Sequence, residues 1–315
     1  LLIDVLRSLF LMLLTAGVLW MFLKSKLKQG IAILIIAVFV LFDLVSVDKK
    51  YVNKDDFKSS RKIEKPFIAS NADKLILQDK THFRVGNFSV NPMNDGSTSY
   101  FHQSIGGYHA AKMMRYQELF EYQIAKNNMQ VLNMLNTKYF IVDNDKGEKQ
   151  AQQNPDANGN AWFVENVKVV NSANSELQIL DSLNTKMIAV IDKSKLLDNV
   201  NFNFEKDSTA TIKLINYDVT ELTYRTKTEK EQFVVFSEIY YKDGWNAYID
   251  GKLTNHFRVN YVLRGMKIPA GEHEIEYKFE PKVIQQGGMI SLFSYISIIL
   301  VFVVWFFYGK KQGVN

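Results

Sequence analysis

The sequence contains no cysteine among its 315 residues. This absence excludes a disulfide framework, a thiolate metal site and a cysteine nucleophile. The chain also lacks a Gly-rich phosphate loop of the Walker type, an HExxH motif and a nucleophile elbow. We therefore identify no cofactor from the sequence. We also predict no metal site, because no metal-ligand spacing connects the five histidines, which are His82, His102, His109, His256 and His273.

Charge of one sign is not concentrated in any part of the chain. Lysine and arginine number 38 against 33 acidic residues, which gives a net charge of +5 and an isoelectric point of about 9.0. The lysines are dispersed, so we expect a solvated basic surface near anionic lipid and no nucleic-acid partner. The mean hydropathy is only -0.11 although 47% of the residues are hydrophobic. This combination is typical of a few membrane spans joined to globular sequence.

Three long apolar stretches are present, two at the start of the chain and one near its end. They cover residues 1–23, 31–47 and 289–308. Each approaches or exceeds the ~18 uncharged residues that a helix needs to cross a hydrocarbon layer of ~30 Å. We therefore predict a membrane protein. Its predicted segments are two transmembrane helices in 1–47, a linker in 48–65, a soluble α/β unit in 66–192, a soluble β-sandwich in 193–286, a transmembrane helix in 287–309 and a tail in 310–315.

The link between the first two spans, residues 24–30, is short enough to predict a helical hairpin. The soluble middle and the tail with Lys310 and Lys311 then lie on opposite sides of the membrane. Basic residues on the two sides roughly cancel, so the positive-inside rule leaves the orientation undecided. The chain starts with Leu1 and shows no signal-peptide cleavage site, so we expect a fragment that lacks upstream spans.

Ionisable residues within the first two spans are Asp4, Arg7 and Asp43. Such residues are costly in a membrane and often functional. All three lie near the end of a span, where an interfacial position costs little. Alternatively, Asp4 and Arg7 pair on one helix face that is directed towards the missing spans.

The first part of the soluble middle, residues 66–192, alternates between helical and strand patterns. The most regular helical pattern covers residues 112–126, where apolar side chains recur on one face. Strand patterns occur at 137–143 and at 161–170. Between them, residues 144–160 are rich in Asn, Gln, Asp and Gly and predict a solvated loop. A small α/β unit follows from these elements.

The second part, residues 193–286, predicts strands alone. The continuous apolar run Phe233–Phe236 indicates a buried strand, and the alternation in Glu272–Glu280 indicates a strand with one dry face. Turn signals such as Asp250-Gly251 separate the strands. The predicted fold class is therefore membrane-spanning helices plus an α+β soluble region, in which a small α/β unit precedes a β-sandwich of the jelly-roll or immunoglobulin-like type.

The stretch Ser99–Lys112 combines hydroxyls, imidazoles and two adjacent glycines ahead of a predicted helix. Backbone amides at such a helix start could contact an anion such as a phosphate, with Lys112 and Arg115 assisting. The alternative is a structural glycine turn that enters an ordinary helix. The candidate phosphate or substrate contacts are Gly106, Gly107, Tyr108, His109, Lys112 and Arg115.

A second stretch, Tyr240–Lys252, combines aromatic rings with polar groups. Aromatic rings can cover the apolar face of a pyranose, so Tyr241, Trp245 and Tyr248 are candidate sugar contacts. In a β-sandwich, however, Trp and Tyr also pack in the core or along a sheet edge. Both interpretations stay open for these three residues.

The order of the motifs in this half of the chain is distinctive. A stretch with Gly244-Trp245 and Asp250-Gly251 is followed by Asn260–Gly265, then by Pro269–His273 and finally by Phe279–Pro281. This order resembles the C-terminal region of YfhO-type bacterial membrane proteins, which carry a GW-aromatic-DG hairpin and a PAG-H turn before the last span. The resemblance extends upstream, through Ser104–His109 and Met134–Ile141.

The resemblance implies a multi-spanning protein of glycosyltransferase-C-like architecture in the bacterial cytoplasmic (inner) membrane, with an extracytoplasmic soluble region and a cytoplasmic tail. Such proteins are thought to move a sugar from a polyprenyl-phosphate donor onto an envelope glycopolymer, and the soluble region would shape the acceptor side. In that superfamily the catalytic acid lies in an early external loop, so no catalytic residue is assigned in this fragment.

Two other functions stay open. The first is a non-catalytic, membrane-anchored module that binds glycan or supports envelope assembly. The second places the soluble middle in the cytoplasm as a regulatory domain. All three readings share the lipid bilayer as a partner, because all three keep the apolar spans.

Overall fold

The computed structural model describes residues 2–57, 59–195, 202, 204–205 and 207–312. The chain divides into two compact units, Leu1–Ile68 and Ala69–Asn315. The first unit contains two long helices, and the second contains the sheets and the last long helix.

Helices alternate with strands at the start of the second unit, and strands then follow one another up to the last helix. The long helices are α1 (Leu2–Leu23), α2 (Gln29–Tyr51) and α9 (Lys282–Gln312). The shorter ones are α3 (Ser60–Glu64), α4 (Asn71–Ile76), α5 (Ser97–Phe101), α6 (Met114–Tyr122), α7 (Met129–Met134) and α8 (Ala173–Ile179). The strands are β1 (Arg84–Asn87), β2 (Thr137–Asp143), β3 (Lys149–Gln153), β4 (Ala161–Val164), β5 (Asn166–Val170), β6 (Ile188–Asp192), β7 (Thr211–Tyr217), β8 (Glu221–Thr228), β9 (Gln232–Ile239), β10 (Trp245–Ile249), β11 (Lys252–Thr254), β12 (Phe257–Val259), β13 (Leu263–Ile268) and β14 (Gly271–Phe279).

Three helices in the described part of the chain, α1, α2 and α9, are long and apolar enough to cross a membrane. Their apolar side chains are mostly exposed, as lipid-facing side chains would be. The three predicted long apolar helices are therefore confirmed. α9 begins several residues earlier than predicted, directly after Pro281, because proline is well suited to the start of a helix.

The charged residues of the first two spans pair with one another. The guanidinium of Arg7 lies 3.7 Å from the Asp4 carboxylate on the same helix and 3.2 Å from the Asp43 carboxylate on α2. It also donates a hydrogen bond of 3.2 Å to the Ser46 hydroxyl. Lys50 pairs with Asp4. The alternative pairing of Asp4 with Arg7 is therefore present, but Arg7 is directed towards Asp43 on the second helix of the hairpin.

Two antiparallel sheets of the second unit pack face to face. One sheet has the strand order β11-β10-β14-β8-β7, and the other has the order β12-β13-β9-β4. The core between them contains Tyr224, Phe236 and Tyr277, whose ring centroids lie 4.9 and 5.1 Å apart in successive pairs. This arrangement confirms the predicted sandwich-like region.

Strand β9 is covered on both faces. Val234 and Phe236 point into the sandwich core, whereas Phe233 and Val235 point into a second core that includes side chains of α6 and α7. All four residues are fully buried. A strand with two buried faces needs no alternation of polar residues, which explains the uninterrupted apolar run of the sequence.

Strand prediction was wrong in two places. The predicted loop 144–160 contains β3, which pairs with β2 as an edge strand, so its outward positions are polar. The predicted single strand 161–170 is divided between two sheets. Its first half, β4, pairs with β9 of the sandwich, and its second half, β5, pairs with β6 in parallel. The two predicted parts of the soluble middle thus share a sheet.

The predicted helix 112–126 is shorter than expected. α6 begins at Met114, and after Tyr122 the chain continues as a 3-10 turn that ends at Asn127 in a left-handed conformation (φ 58°). Phe120 and Ile124 lie in the core as predicted, but Met113 is exposed. Residues 106–112 therefore lie outside the helix and contain a turn at Ala110 and Ala111.

Candidate functional site

Five of the six predicted phosphate or substrate contacts line one cleft of the second unit. These are Gly106, Gly107, Tyr108, His109 and Lys112, and the cleft has a volume of about 570 Å³. We call it the glycine cleft. The sixth, Arg115, is not among the lining residues.

The backbone at the two glycines is fixed against Pro92. The amide of Gly107 donates a hydrogen bond of 2.6 Å to the Pro92 carbonyl, and Gly107 has a positive φ of 115°. A Cβ atom at Gly106 would lie only 2.1 Å from the same carbonyl oxygen. Both positions therefore require glycine, the first for space and the second for conformation.

The floor of the glycine cleft consists of groups whose hydrogen bonds are already made. The Tyr116 hydroxyl donates a hydrogen bond of 2.6 Å to the Ile105 carbonyl, and burial raises the pKa of Tyr116 to about 12. Arg84 donates to the carbonyls of Leu135 and Ser237, at 2.9 and 2.8 Å. These groups shape the cleft and are not available to a ligand.

The mouth of the glycine cleft is lined by Lys112, Tyr108 and His109. Lys112 is half-buried, and the polar contact recorded for its ammonium in the described residues is the Met93 sulphur, at 3.6 Å. Tyr108 is 76% exposed, and the Nδ1 of His109 accepts a hydrogen bond from the Ala111 amide. An ammonium with a weak partner beside an exposed ring can meet an anionic or hydroxyl-bearing ligand.

Arg115 lies beside a neighbouring cleft. Its guanidinium donates to the Glu176 carboxylate at 3.0 Å and to the Tyr261 carbonyl at 3.2 Å, and it stacks on the Tyr261 ring at 4.4 Å. Met113 lines both clefts and separates them. The structure thus places Lys112 and Arg115 at two adjacent depressions.

Neither Glu176 nor Tyr261 was among the site residues predicted from the sequence. Glu176 is fully buried on the inner face of α8, in a stripe with Ala173, Leu177 and Leu180. A carboxylate in an apolar helical stripe needs a cationic partner, so this pattern could have indicated a buried ion pair. No local pattern shows that the partner is Arg115, because the two residues are 61 positions apart.

The candidate sugar contacts do not form one platform. Trp245 and Tyr248 are an odd number of positions apart on β10, so they project from opposite faces of the sheet. The Tyr248 hydroxyl donates a hydrogen bond of 2.7 Å to Glu280 on the outer face. Tyr241 precedes the strand and is 43% exposed. Of the three residues, Trp245 packs against the sandwich core.

Trp245 lies between two other side chains of the motif region. The guanidinium carbon of Arg264 lies 4.2 Å from the Trp245 ring, and the ring of Phe279 lies 5.4 Å away. A Cβ atom at Gly244 would lie 2.7 Å from Phe279. The Gly-Trp pair is therefore part of the packing of the sandwich.

The two turns that carried the resemblance contact each other. The Nδ1 atom of His273 lies 2.6 Å from the Asp250 carboxylate, whose other oxygen accepts a hydrogen bond from the Glu274 amide. The hydrogen bond to Asp250 raises the pKa of His273. Asp250 and Gly251 both have positive φ values, 49° and 74°, as a tight hairpin turn requires.

Comparison with protein families assigns this region. Residues 197–291 match the model of the bacterial membrane protein YfhO. This part of the chain is similar to the YfhO family, and the match covers less than half of the chain. The matched residues cover strands β7 to β14 and the start of α9. Comparison with curated proteins and with solved structures gives no match.

Proposed function

We propose that this chain is the C-terminal part of a membrane glycosyltransferase that moves a sugar from a polyprenyl-phosphate donor onto a cell-envelope glycopolymer. Its soluble region would lie outside the cytoplasmic membrane and shape the acceptor side of the active site. The similarity of residues 197–291 to the bacterial membrane protein YfhO and the apolar helices α1, α2 and α9 support a position in the membrane.

The observation that carries this proposal is the ammonium of Lys112 at the mouth of the glycine cleft. In the described residues this ammonium has no ion-pair partner, and its contact with the Met93 sulphur is weak. The cleft, at about 570 Å³, has room for a sugar unit together with a phosphate. Lys112 would contact the anionic part of the ligand, and Tyr108 would cover an apolar sugar face.

The transferase activity can be tested with a single substitution. Lys112→Ala in the complete protein should lower sugar transfer by about tenfold or more, because a charge-assisted hydrogen bond to the ligand is lost. Lys146→Ala is the matched control, since Lys146 is an exposed turn residue. Membranes are incubated with a radiolabelled polyprenyl-phosphate sugar. Equal transfer by both variants contradicts the role of the glycine cleft.

The orientation can be tested independently, because the chain has no cysteine of its own. Single cysteines are introduced as Lys24→Cys in the hairpin link and Lys146→Cys in the soluble region. A membrane-impermeant maleimide added to intact spheroplasts should label the variant at position 146 and spare the variant at position 24. The reverse pattern places the soluble region in the cytoplasm, as the regulatory reading requires.

The alternative function is a non-catalytic, membrane-anchored module that binds glycan or supports envelope assembly. The strong exposure of Tyr108 beside the cleft favours it, since an exposed ring is suited to a sugar face. In this case Tyr108→Ala weakens glycan binding, while no sugar transfer is detected in membranes that carry the unaltered protein.

A further inference from the structure

Arg258 on β12 is a half-buried arginine that makes no hydrogen bond or ion pair with the residues that the structure describes. Its Nε atom is enclosed. The nearest aromatic ring, that of Tyr240, has its centroid 5.8 Å from the guanidinium carbon. A guanidinium carries five N–H donors, so leaving them unpaired in a partly enclosed place is unfavourable.

The cleft beside Arg258 contains a second guanidinium, that of Arg115. Burial and the nearby charge of Arg115 lower the pKa of Arg258. Two like charges thus face one depression of about 330 Å³. Such an arrangement is unfavourable in the free protein and favours a negative group between the two cations.

The carboxylates of Glu176 and Asp192 attract Arg258, but neither forms a hydrogen bond or an ion pair with it in the described part of the chain. The Oε2 atom of Glu176 accepts the hydrogen bond from Arg115, and its Oε1 atom accepts a hydrogen bond of 3.1 Å from the Tyr261 amide. Glu118 is engaged by the Tyr261 hydroxyl. The protein therefore holds Arg115 and Tyr261 in place while Arg258 keeps its donors free.

The turn between β12 and β13, which lines the cleft beside Arg258, has an unusual backbone conformation. Asn260 and Tyr261, between β12 and β13, both have positive φ values, 49° and 71°. Hydrogen bonds connect Asn260 to the backbone of Val190 on β6, and the Glu176 bond secures Tyr261. A conformation that is uncommon for non-glycine residues is thus fixed where the Tyr261 ring meets the cleft.

We infer that the cleft between Arg115 and Arg258 binds an oxyanion, with Arg258 as the principal ligand-binding residue. Guanidinium forks match phosphate and carboxylate groups with two parallel hydrogen bonds. Tyr240, Tyr261 and Met113 would border the remainder of the ligand. The inference goes beyond the transferase proposal and does not depend on it, because it requires no sugar donor and no acceptor polymer.

The oxyanion can belong to a soluble molecule or to a lipid headgroup, since both present the same phosphate chemistry. The full chain is therefore reconstituted in two kinds of nanodisc, one of phosphatidylcholine alone and one that also contains phosphatidylglycerol. Inorganic phosphate is titrated into each by calorimetry at constant ionic strength. The melting temperature of each sample is also measured.

A soluble ligand predicts saturable phosphate binding in the phosphatidylcholine discs, weakened about tenfold or more by Arg258→Ala. A lipid headgroup predicts instead that phosphatidylglycerol raises the melting temperature of the unaltered chain but not that of the Arg258→Ala variant. Either result supports the inference. It is overturned if neither phosphate nor phosphatidylglycerol produces a change that depends on Arg258.

The matched control is Arg225→Ala, which removes an equal charge from the outer face of the same unit, where the Arg225 side chain is 65% exposed. Binding by this variant should change less than twofold. An equal loss in both variants identifies a non-specific effect of net charge and contradicts the inference. Arg258→Gln, which keeps a shorter polar side chain without the charge, replaces Arg258→Ala if the alanine variant does not fold.

Discussion

Arg258 and Arg264 lie opposite each other across one hairpin, yet they differ in burial, ring contacts and hydrogen bonds. They are register partners on β12 and β13. Arg264 is only 2% exposed, and its guanidinium stacks on Trp245 and Tyr277 at 4.2 and 5.0 Å. Its Nε donates a hydrogen bond of 3.1 Å to the Ile239 carbonyl, while one terminal nitrogen of its buried guanidinium has no hydrogen-bond partner among the described residues. Arg258 has none of these polar contacts within the described ranges.

Arg264 is thus part of the packed scaffold, whereas Arg258 faces a cleft. Near Arg264 lies the buried Glu238. Burial alone would raise the pKa of Glu238, but His82, Arg84 and Arg264 together lower it below its usual value. The charge of Arg264 is thus used inside the protein. Arg258 is attracted by Glu176 and Asp192 but makes no hydrogen bond in the described residues and faces a cleft, which is why we assign it to a ligand.

The largest effect is expected when Arg264 is removed. Arg264→Met should lower the free energy of unfolding by about 3 kcal/mol, because it leaves the buried Glu238 with less compensating charge and takes a stacking partner from Trp245. Chemical denaturation of the chain in detergent measures this loss. A loss of less than about 0.5 kcal/mol in the free energy of unfolding would show that Arg264 does not stabilise the fold, and it would contradict the contrast with Arg258.

Trp245→Ala should have the next largest effect. The loss of packing against Arg264 and Phe279 is expected to cost about 2 kcal/mol of stability, less than for a fully buried ring. Tyr248→Phe is the control, since it keeps the ring on the outer face and loses only the hydrogen bond to Glu280. Weakened glycan binding without a loss of stability would instead identify Trp245 as a sugar contact.

His256 packs against the rings of Tyr240 and Tyr277. Burial and the charge of Arg264 lower its pKa to about 4, from an ordinary value of 6.5. Between these two values the unfolded chain binds a proton that the folded chain does not. Stability should therefore fall as the pH is lowered from 6.5 towards 4, by about 2 kcal/mol after allowance for partial exposure.

Denaturation curves measured at several pH values give the slope of the free energy of unfolding against pH. His256→Phe keeps a ring at the site and removes the titration, so the curve should flatten within this window. His273 does not interfere, because its raised pKa places its contribution to the slope above pH 6.5. An unchanged slope in the His256→Phe variant contradicts the assignment.

The smallest effect on stability is expected for Arg258. Arg258→Ala should change the free energy of unfolding by less than about 0.5 kcal/mol, because no hydrogen bond is lost and the repulsion from Arg115 is relieved. The same denaturation measurement as for Arg264→Met provides the comparison. A loss as large as that of Arg264→Met would show that Arg258 belongs to the scaffold as well.

The features that could be predicted from the sequence are those that depend on neighbouring residues. The apolar spans, the buried run of β9 and the alternation of β14 each follow from a local pattern. The edge strand β3 was missed because an edge strand has few buried positions and its polar composition is that of a loop.

The sites were harder to predict because they depend on distant residues. Five glycine-cleft residues are close in sequence, so they were found together. The position of Arg115 depends on Glu176 and Tyr261, which are far away along the chain. Side chains alternate between the two faces of a strand, so the sequence of β10 could have shown that Trp245 and Tyr248 project from opposite faces of the sheet.

The most direct test of the contrast between the two arginines is to locate a bound oxyanion. Selenate, a tetrahedral oxyanion with an anomalous X-ray signal, is diffused into crystals of the full chain. We expect an anomalous peak within hydrogen-bonding distance of the Arg258 guanidinium and none beside Arg264. A crystal saturated with selenate that has no peak at Arg258 would contradict the assignment.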